Sequence, residues 1–468
     1  MAGLILMLWA ATGIASEAQT FTTLVTFDVT NGAYPSSALV QGLDGNFYGT
    51  TQAGNGRNQC FDGCGEVFKV TPAGALTIVH SFDKTDGGYP VAGLVLATSG
   101  NFYGSTDASS VGASSIVPSF FFEITPEGTL TNFLTPYTTS TAMIQYNVNG
   151  NLYGTAVNGT VGQIFAMTPS GTISTVYNFD NPSNLEGAPL APLVEGTDGF
   201  FYGTTENGGD KAPALCQLLY GPGCGMVFKT GIGGHLGIRH IFNGTDGAKP
   251  LGGLIQGSDG NFYGTTEYGG ASGGGTIFEM TPAGVLTPLH SFGCSTLNCP
   301  GGAHPVAGVV QATDGNFYGT TYDNGINGYG TIFQLTPSGT LTTLLSFDKT
   351  VGVYPTGGLV QGTDGNFYGT TGGTDGLHLY GTVFKLSLGL PPFVKMVPTA
   401  AYPGTTIFIL GTDLTGATAV SFNGKAALFT VVSPTEITAM VPKGSTTGAI
   451  EVNTPCGTLS SNIPFRVF

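Results

Sequence analysis

Between about residue 20 and residue 390 the chain is a succession of short apolar runs, each closed by a turn signal. In residues 358–386, Gly-Leu-Val-Gln (strand A) leads to an Asp364-Gly365 turn, and residues 366–371 form a second run (strand B). A variable Gly-rich loop then leads to Thr-Val-Phe-Lys-Leu at 382–386 (strand C). Earlier units add a Thr-Pro-x-Gly turn, as at 336–339, and a fourth run, as at 341–347 (strand D). Asp-Gly suits a hairpin because Gly tolerates positive φ and Asp can bond its own backbone. The β-branched and aromatic content of the runs predicts strands rather than helices.

The pattern recurs. Asp44-Gly45-Asn46-Phe47-Tyr48-Gly49 returns at 259–264, 314–319 and 364–369, with degenerate copies at 99–104, 149–154 and 198–203. The matching tyrosines, Tyr48, Tyr103, Tyr153, Tyr202, Tyr263, Tyr318 and Tyr368, mark seven units spaced 49 to 61 residues apart. Four-stranded antiparallel units repeated radially predict a β-propeller, in which stacking the sheets around a channel protects most strand edges. The seventh unit has no strand D at its own end, while residues 21–28 (FTTLVTFD) match strand D of residues 341–348 (LTTLLSFD). The expected fold is therefore all-β: a seven-bladed β-propeller of four-stranded antiparallel blades over residues 19–390, closed by the N-terminal strand.

After Pro391-Pro392 the repeat stops. Runs at 406–410, 419–422, 427–432, 436–441, 448–453 and 465–468 read as the strands of a small β-sandwich. The blocks Gly-x-Val-Phe-Lys, Leu-Thr-Thr-Leu-x-Ser-Phe and Asp-Gly-Asn-Phe-Tyr-Gly-Thr-Thr resemble the bacterial GloVer tandem repeats of exported and surface proteins, Kelch-like in outlook. The resemblance covers about 21–390 and is weakest at 143–154, where the Asp-Gly turn and the proline before strand A are missing. It brings no catalytic residues with it. In the last segment Gly404, Gly411 with Leu414, Val420-Ser421-Phe422-Asn423-Gly424, Val441-Pro442 and the run after Gly448 resemble the IPT/TIG immunoglobulin-like domains. Such domains serve as DNA-contacting modules or as extracellular spacers, and the scarcity of Lys and Arg points to the spacer.

Charge narrows the partners. The chain carries 13 Lys plus Arg against 28 Asp plus Glu, a net charge of −15, and no basic stripe. Nothing neutralises phosphates, which argues against nucleic acid and anionic membrane. The expected partner is a glycan or a surface protein, and the protein is expected to be a monomer. Residues 1–18 read as a signal peptide, with an apolar run at 4–11 and Ser16 and Ala18 at a small-x-small cleavage site, although no basic residue precedes the run. The run is too short to span a bilayer, so the expected location is secreted or cell surface. Cysteine usage agrees with export: Cys60 with Cys64, Cys216 with Cys224 and Cys294 with Cys299 each suit a disulfide stapling one loop. Cys456 is left over, expected as a small buried residue.

The A–B and C–D turns are tight, so the long B–C and D–A loops share the opposite face, and all three cysteine pairs fall there. Loops on a rigid scaffold are where binding sits. Asp28, Asp83, Asp180 and Asp348 end their D strands at one register; they form either a partial acidic ring for a cation or polyol, or four separate turn caps. Tyr34, Tyr89 and Tyr354 each precede a Pro on this face and offer a sugar platform in place of Trp, of which the chain has only Trp9. His304 and His378 lie on rim loops. His80, His240 and His290 take a position held elsewhere by Val25 and Leu345, which suits packing. Glu195, Glu206 and Glu267 are unrepeated acids that nothing in the sequence pairs. No nucleophile elbow, His-Glu-x-x-His or phosphate loop occurs, so no catalytic residue is assigned. No alternating Asp loop supports calcium, and neither metal nor cofactor is expected. Two functions stay open beside a purely structural envelope role, which would show no coherent concavity. One is a binding or scaffold protein with the repeats as recognition module. The other is a carbohydrate-active enzyme, a glycoside hydrolase or polysaccharide lyase, on the B–C and D–A loop face. The enzyme would need converging carboxylates, or a carboxylate with His or Tyr, and a shifted pKa.

Overall fold

The computed structural model describes residues 19–54, 60, 63–107, 119–137, 139–140, 142–158, 161–179, 187–209, 216, 223–293, 299–373 and 380–468. Among these residues the repeats form seven antiparallel sheets, one per unit. Sheet 5 shows the plan: Ile255–Gln256 (A), Phe262–Thr266 (B), Thr276–Met280 (C) and Leu286–Ser291 (D), hydrogen-bonded in that order. Every residue of its strand B is buried, because both faces meet neighbouring sheets, whereas D is part-exposed and forms the outer edge. Sheet 7 joins Val360–Gln361, Phe367–Thr371 and Thr382–Ser387 to Thr20–Thr26 from the other end of the chain. That N-terminal strand shifts register between Thr23 and Val25, opposite Phe384 and Val383. The D strands of sheets 1, 4, 5 and 6 shift at the same place, so it carries a D-strand bulge as well as a D-strand sequence.

Neighbouring sheets are joined by two repeated devices. The strand-B tyrosine stacks on the phenylalanine that starts strand B of the next sheet: Tyr48 on Phe102 at 4.1 Å between centroids, Tyr202 on Phe262 at 4.0 Å, Tyr263 on Phe317 at 4.1 Å and Tyr318 on Phe367 at 4.3 Å. Tyr368 of sheet 7 stacks on Phe47 of sheet 1 at 3.8 Å. Each buried phenol donates to the Asp of its own A–B turn, as Tyr48 does to Asp44 at 2.8 Å and Tyr368 to Asp364 at 2.7 Å. The second device is the glutamine that ends strand A. Gln256 accepts the Thr197 N–H of the previous sheet at 2.8 Å and donates to its own Gly260 carbonyl at 2.8 Å. Gln145, Gln311, Gln361 and Gln41 accept from Thr98, Ser258, Thr313 and Thr363 in the same way.

The expectation of a closed propeller is corrected. Backbone ladders stay inside each sheet, no sheet closes into a barrel, and the N-terminal strand completes one sheet rather than joining two. Strand A is only two residues long and bonds strand B alone, so coupling between sheets falls to side chains. The third unit also departs from four strands, since Thr139–Ser140 and Ile144–Gln145 both pair with the seven-residue Leu152–Asn158.

The last segment packs Lys395–Val397, Thr406–Leu410, Glu436–Met440 and Phe429–Ser433 in one sheet. Lys425–Ala426, Ala419–Phe422, Ile450–Thr454 and Gly457–Ser460 form a second, and Ala400–Ala401 pairs in parallel with Arg466–Val467. Ile407, Ile409, Val420, Phe422, Ile437 and Val452 fill the space between. This domain rests on the A–B turns. Thr435 donates to the Leu43 carbonyl at 2.9 Å, Asn147 to the Thr399 hydroxyl at 3.3 Å, and Arg466 to the Gly196 carbonyl at 2.8 Å and to Glu195. Lys395, pushed down to about 8 by burial, donates to the Gln361 carbonyl. Cys456 is exposed rather than buried, because it sits in the tight turn between Ile450–Thr454 and the edge strand Gly457–Ser460. No described helix is long and apolar enough to cross a membrane.

Candidate functional site

In every unit but the third, two backbone positions face the long loops: one precedes the proline that leads into strand A, the other follows strand B. In sheet 5 these are Lys249 and Glu267, and the Glu267 N–H donates to the Lys249 carbonyl at 2.9 Å. The Lys249 N–H donates to the Cys224 carbonyl of the previous unit, also at 2.9 Å. The arrangement recurs. Tyr322 donates to His304 at 3.0 Å, Gln52 to Tyr34 at 3.2 Å and Gly372 to Tyr354 at 2.9 Å, backbone to backbone. His304, Tyr34, Tyr89 and Tyr354 in turn donate to the carbonyls of Gly274, Tyr380, Cys64 and Tyr329 at 2.7–3.0 Å. The pre-proline residue is held in the left-handed region, with φ of 59° at Tyr34, 53° at Tyr89, 54° at Lys249, 55° at His304 and 54° at Tyr354. For bulky residues that conformation is costly, and it persists here because the backbone N–H is bonded at all five and the carbonyl at Tyr34, Lys249, His304 and Tyr354.

The scaffold repeats at this register; the side chains do not. Chain order gives Tyr34, Tyr89, Ala188, Lys249, His304 and Tyr354 before the prolines, and Gln52, Asp107, Glu206, Glu267, Tyr322 and Gly372 after strand B. Sheets 4 to 6 thereby gather an acid–base run. Lys249 pairs with Glu206 at 3.0 Å, and His304 Nδ1 with Asp323 at 2.9 Å. Burial raises the Glu267 carboxyl, with Glu206 adding to the rise while Tyr268, His304 and Lys249 oppose it. The hydrogen bond to Asp323 raises the His304 imidazole against the effect of burial. Aromatic rings flank the run: His304 lies 5.0 Å from Tyr268, Tyr354 stacks on Tyr322 at 5.1 Å, and Tyr34 meets Tyr380 at 5.8 Å.

Disulfides join Cys60 to Cys64 and Cys216 to Cys224. Cys299 is disulfide-bonded too, and Cys294, its expected partner, lies outside the described residues. The Cys64 and Cys224 carbonyls are the ones that fix Tyr89 and Lys249, so two staples hold the backbone beneath two site residues.

The aspartates that end strands D are committed to turns. Asp28 Oδ1 accepts from the Thr30 hydroxyl at 2.6 Å and the Thr30 N–H at 3.1 Å; Asp83 and Asp348 bind Thr85 and Thr350 in the same way. Those threonine hydroxyls lower all three carboxyls. Asp180 and His378 lie outside the described residues. Among the described residues no group of three His, Cys, Asp or Glu is placed to hold a metal ion. His80 and His240 bond Asp86 and Asp246 at 2.9 Å, and burial lowers the His290 imidazole. Glu195 sits on the other face with Arg466. Sequence reasoning did not assemble Glu206, Lys249, Glu267 and Asp323. The available signal was Lys249-Pro250 and His304-Pro305, which share the register of Tyr34-Pro35.

The Gloeobacter/Verrucomicrobia repeat matches residues 13–117 and 220–426, and the IPT/TIG domain matches residues 391–467. The first leaves out the stretch that holds the five-stranded sheet. No curated protein matches the chain. Among solved structures it is similar to a luciferin-regenerating enzyme (12% identity, 80% of this chain and 98% of that one, TM-score 0.44). It is also similar to a gluconolactonase from Xanthomonas campestris (11%, 81% and 93%, 0.41). A third is the PQQ-bound aldose sugar dehydrogenase from Streptomyces coelicolor (12%, 79% and 98%, 0.42).

Proposed function

The chain belongs to the Gloeobacter/Verrucomicrobia repeat family, and from that premise we propose that its loop face is a carbohydrate-active acid–base site carried by an exported protein. The repeated residues are scaffold, so chemistry belongs to the unrepeated ones. The observation that carries the reading is the pair of unlike carboxylates: Glu267, driven toward its acid form by burial, beside Glu206, which Lys249 neutralises. Carboxyls whose surroundings differ in this way divide acid and base roles between them. Glu267 donates its proton to the leaving oxygen as the glycosidic bond breaks, and Glu206 takes a proton from the attacking water. Tyr34, Tyr89 and Tyr354 supply apolar faces for sugar rings. Residues 1–18 act as the export signal.

The test is release of reducing ends from a polysaccharide panel by the full chain. Glu267→Gln should cut turnover at least a hundredfold while leaving saccharide affinity within threefold. No product from any polysaccharide, with saccharide binding intact, would instead select a recognition module. That second reading is favoured by the three tyrosines sharing one left-handed register, which makes a platform without needing the carboxylates.

A further inference from the structure

The face away from the loops holds a second site. Between the A–B turns and the IPT/TIG domain lies a cavity of about 520 Å³, within the size range of small-molecule pockets. We propose that it binds an uncharged, mostly apolar small molecule.

The lining argues for the ligand. Strand A begins with a β-branched residue in every unit, and four of these, Val95, Ile144, Val194 and Ile255, project into the one cavity from sheets 2 to 5. They are only part-buried by the protein, although each belongs to the edge of an inter-sheet core. Stiff aliphatic side chains at one level make a preformed apolar wall. The IPT/TIG side adds Pro398 and Ile463.

Charge is balanced there. Glu195 and Arg466 line the cavity and pair with each other, so a charged ligand would find no counter-ion and would lose its hydration. The cavity also opens where the glutamine device changes: Leu96 and Glu195 stand where the other five sheets have glutamine, so the device is lost at Leu96 and keeps only its accepting half at Glu195, which takes the Asn147 N–H at 3.4 Å.

The site is distinct from the loop face. Between the two, the segments leading into strand A press together at glycines. A Cβ at Gly308 would overlap the Gly253 carbonyl, and one at Gly357 would overlap the Ser37 carbonyl. A ligand in the cavity touches both domains, so occupancy favours their docking and raises the melting temperature with ligand concentration.

The experiment titrates prodan, a neutral naphthyl ketone, into the full chain and follows its fluorescence, with circular dichroism confirming each variant's fold. The wild type should give a saturable signal at one site per chain. Val194→Trp fills the cavity and should weaken binding at least tenfold. Val310→Trp, at the same register in sheet 6 and outside the cavity, should leave affinity within twofold. Should Val194→Trp fail to fold, Ile144→Phe takes its place. The proposal is overturned by an unsaturable wild-type signal, or by cavity and control variants that behave alike.

Discussion

Gln41 clasps Thr363 across 322 residues of sequence: its Nε2 donates to the Thr363 hydroxyl at 3.1 Å, and its Oε1 accepts the Thr363 N–H at 3.1 Å. The first and last sheets thus share two hydrogen bonds at a point where Gln41 is 7% exposed and Thr363 fully buried. Gln41→Leu, which places at that position the residue the second sheet already has at Leu96, strands the Thr363 N–H. Stability should fall by about 1–3 kcal/mol, the cost of an unmade buried bond, seen as a lower urea midpoint at unchanged slope. An unaltered midpoint would show that the clasp contributes nothing net.

The N-terminal strand should matter more. Phe21 stacks on Phe384 at 5.3 Å and meets Phe347 edge-on at 6.1 Å, so it reaches the core shared by sheets 6 and 7. Removing Thr20–Thr26 bares the Thr382–Ser387 edge and opens that core. The loss should be on the order of 3–5 kcal/mol, the scale of deleting one large buried aromatic. An exposed edge strand also recruits other chains, so light scattering on heating should rise. A truncated chain that melts with the full-length protein would refute this.

Glu66 makes the fold sensitive to pH. It is 1% exposed and stands where Thr276, Thr331 and Thr382 stand in other sheets. Ser81 donates to Oε1 at 3.2 Å, while Oε2 is buried without a partner. Burial pushes the carboxyl up to about 7, with the Ser81 hydroxyl pulling the other way. The folded chain therefore holds this proton more tightly than the unfolded one. The contribution is complete below the unfolded value near 4.5 and is lost as pH rises through about 7. Its size is on the order of 3 kcal/mol at 1.36 kcal/mol per pKa unit. Melting temperatures from pH 5 to 8 should decline more steeply for the wild type than for Glu66→Gln; parallel curves would assign the whole decline to other groups.

Much of the architecture was legible because each unit repeats one apolar code, and the D-strand sequence of residues 21–28 located its own partner. The extra strand Thr139–Ser140 was not legible, since two small polar residues carry no period. The candidate site was half legible. Tyr34, Tyr89, Tyr354 and His304 announce themselves by their prolines, yet Glu206 reaches Lys249 only across a sheet boundary, 43 residues on. The cavity under the IPT/TIG domain left no trace, because docking rests on scattered partners such as Glu195 and Arg466, 271 residues apart.

His304 and Asp323 supply the last prediction. Nδ1 lies 2.9 Å from the carboxylate, and that bond is the main cause of the raised imidazole pKa, with burial opposing and Glu267 assisting. A proton held more tightly in the folded chain stabilises it fully below the unfolded histidine value near 6.5 and ceases to do so above the folded one. Asp323→Asn keeps the shape and removes the charge, so the His304 resonance, followed by NMR, should titrate at lower pH than in the wild type. Glu267→Gln should move it the same way by less, since Glu267 acts only through space. Asp28→Asn, whose carboxylate serves a turn in sheet 7, should leave it where it was. A His304 titration indifferent to Asp323 would show that the bond inside sheet 6 does not set it, and one indifferent to Glu267 would remove the electrostatic link between sheets 5 and 6.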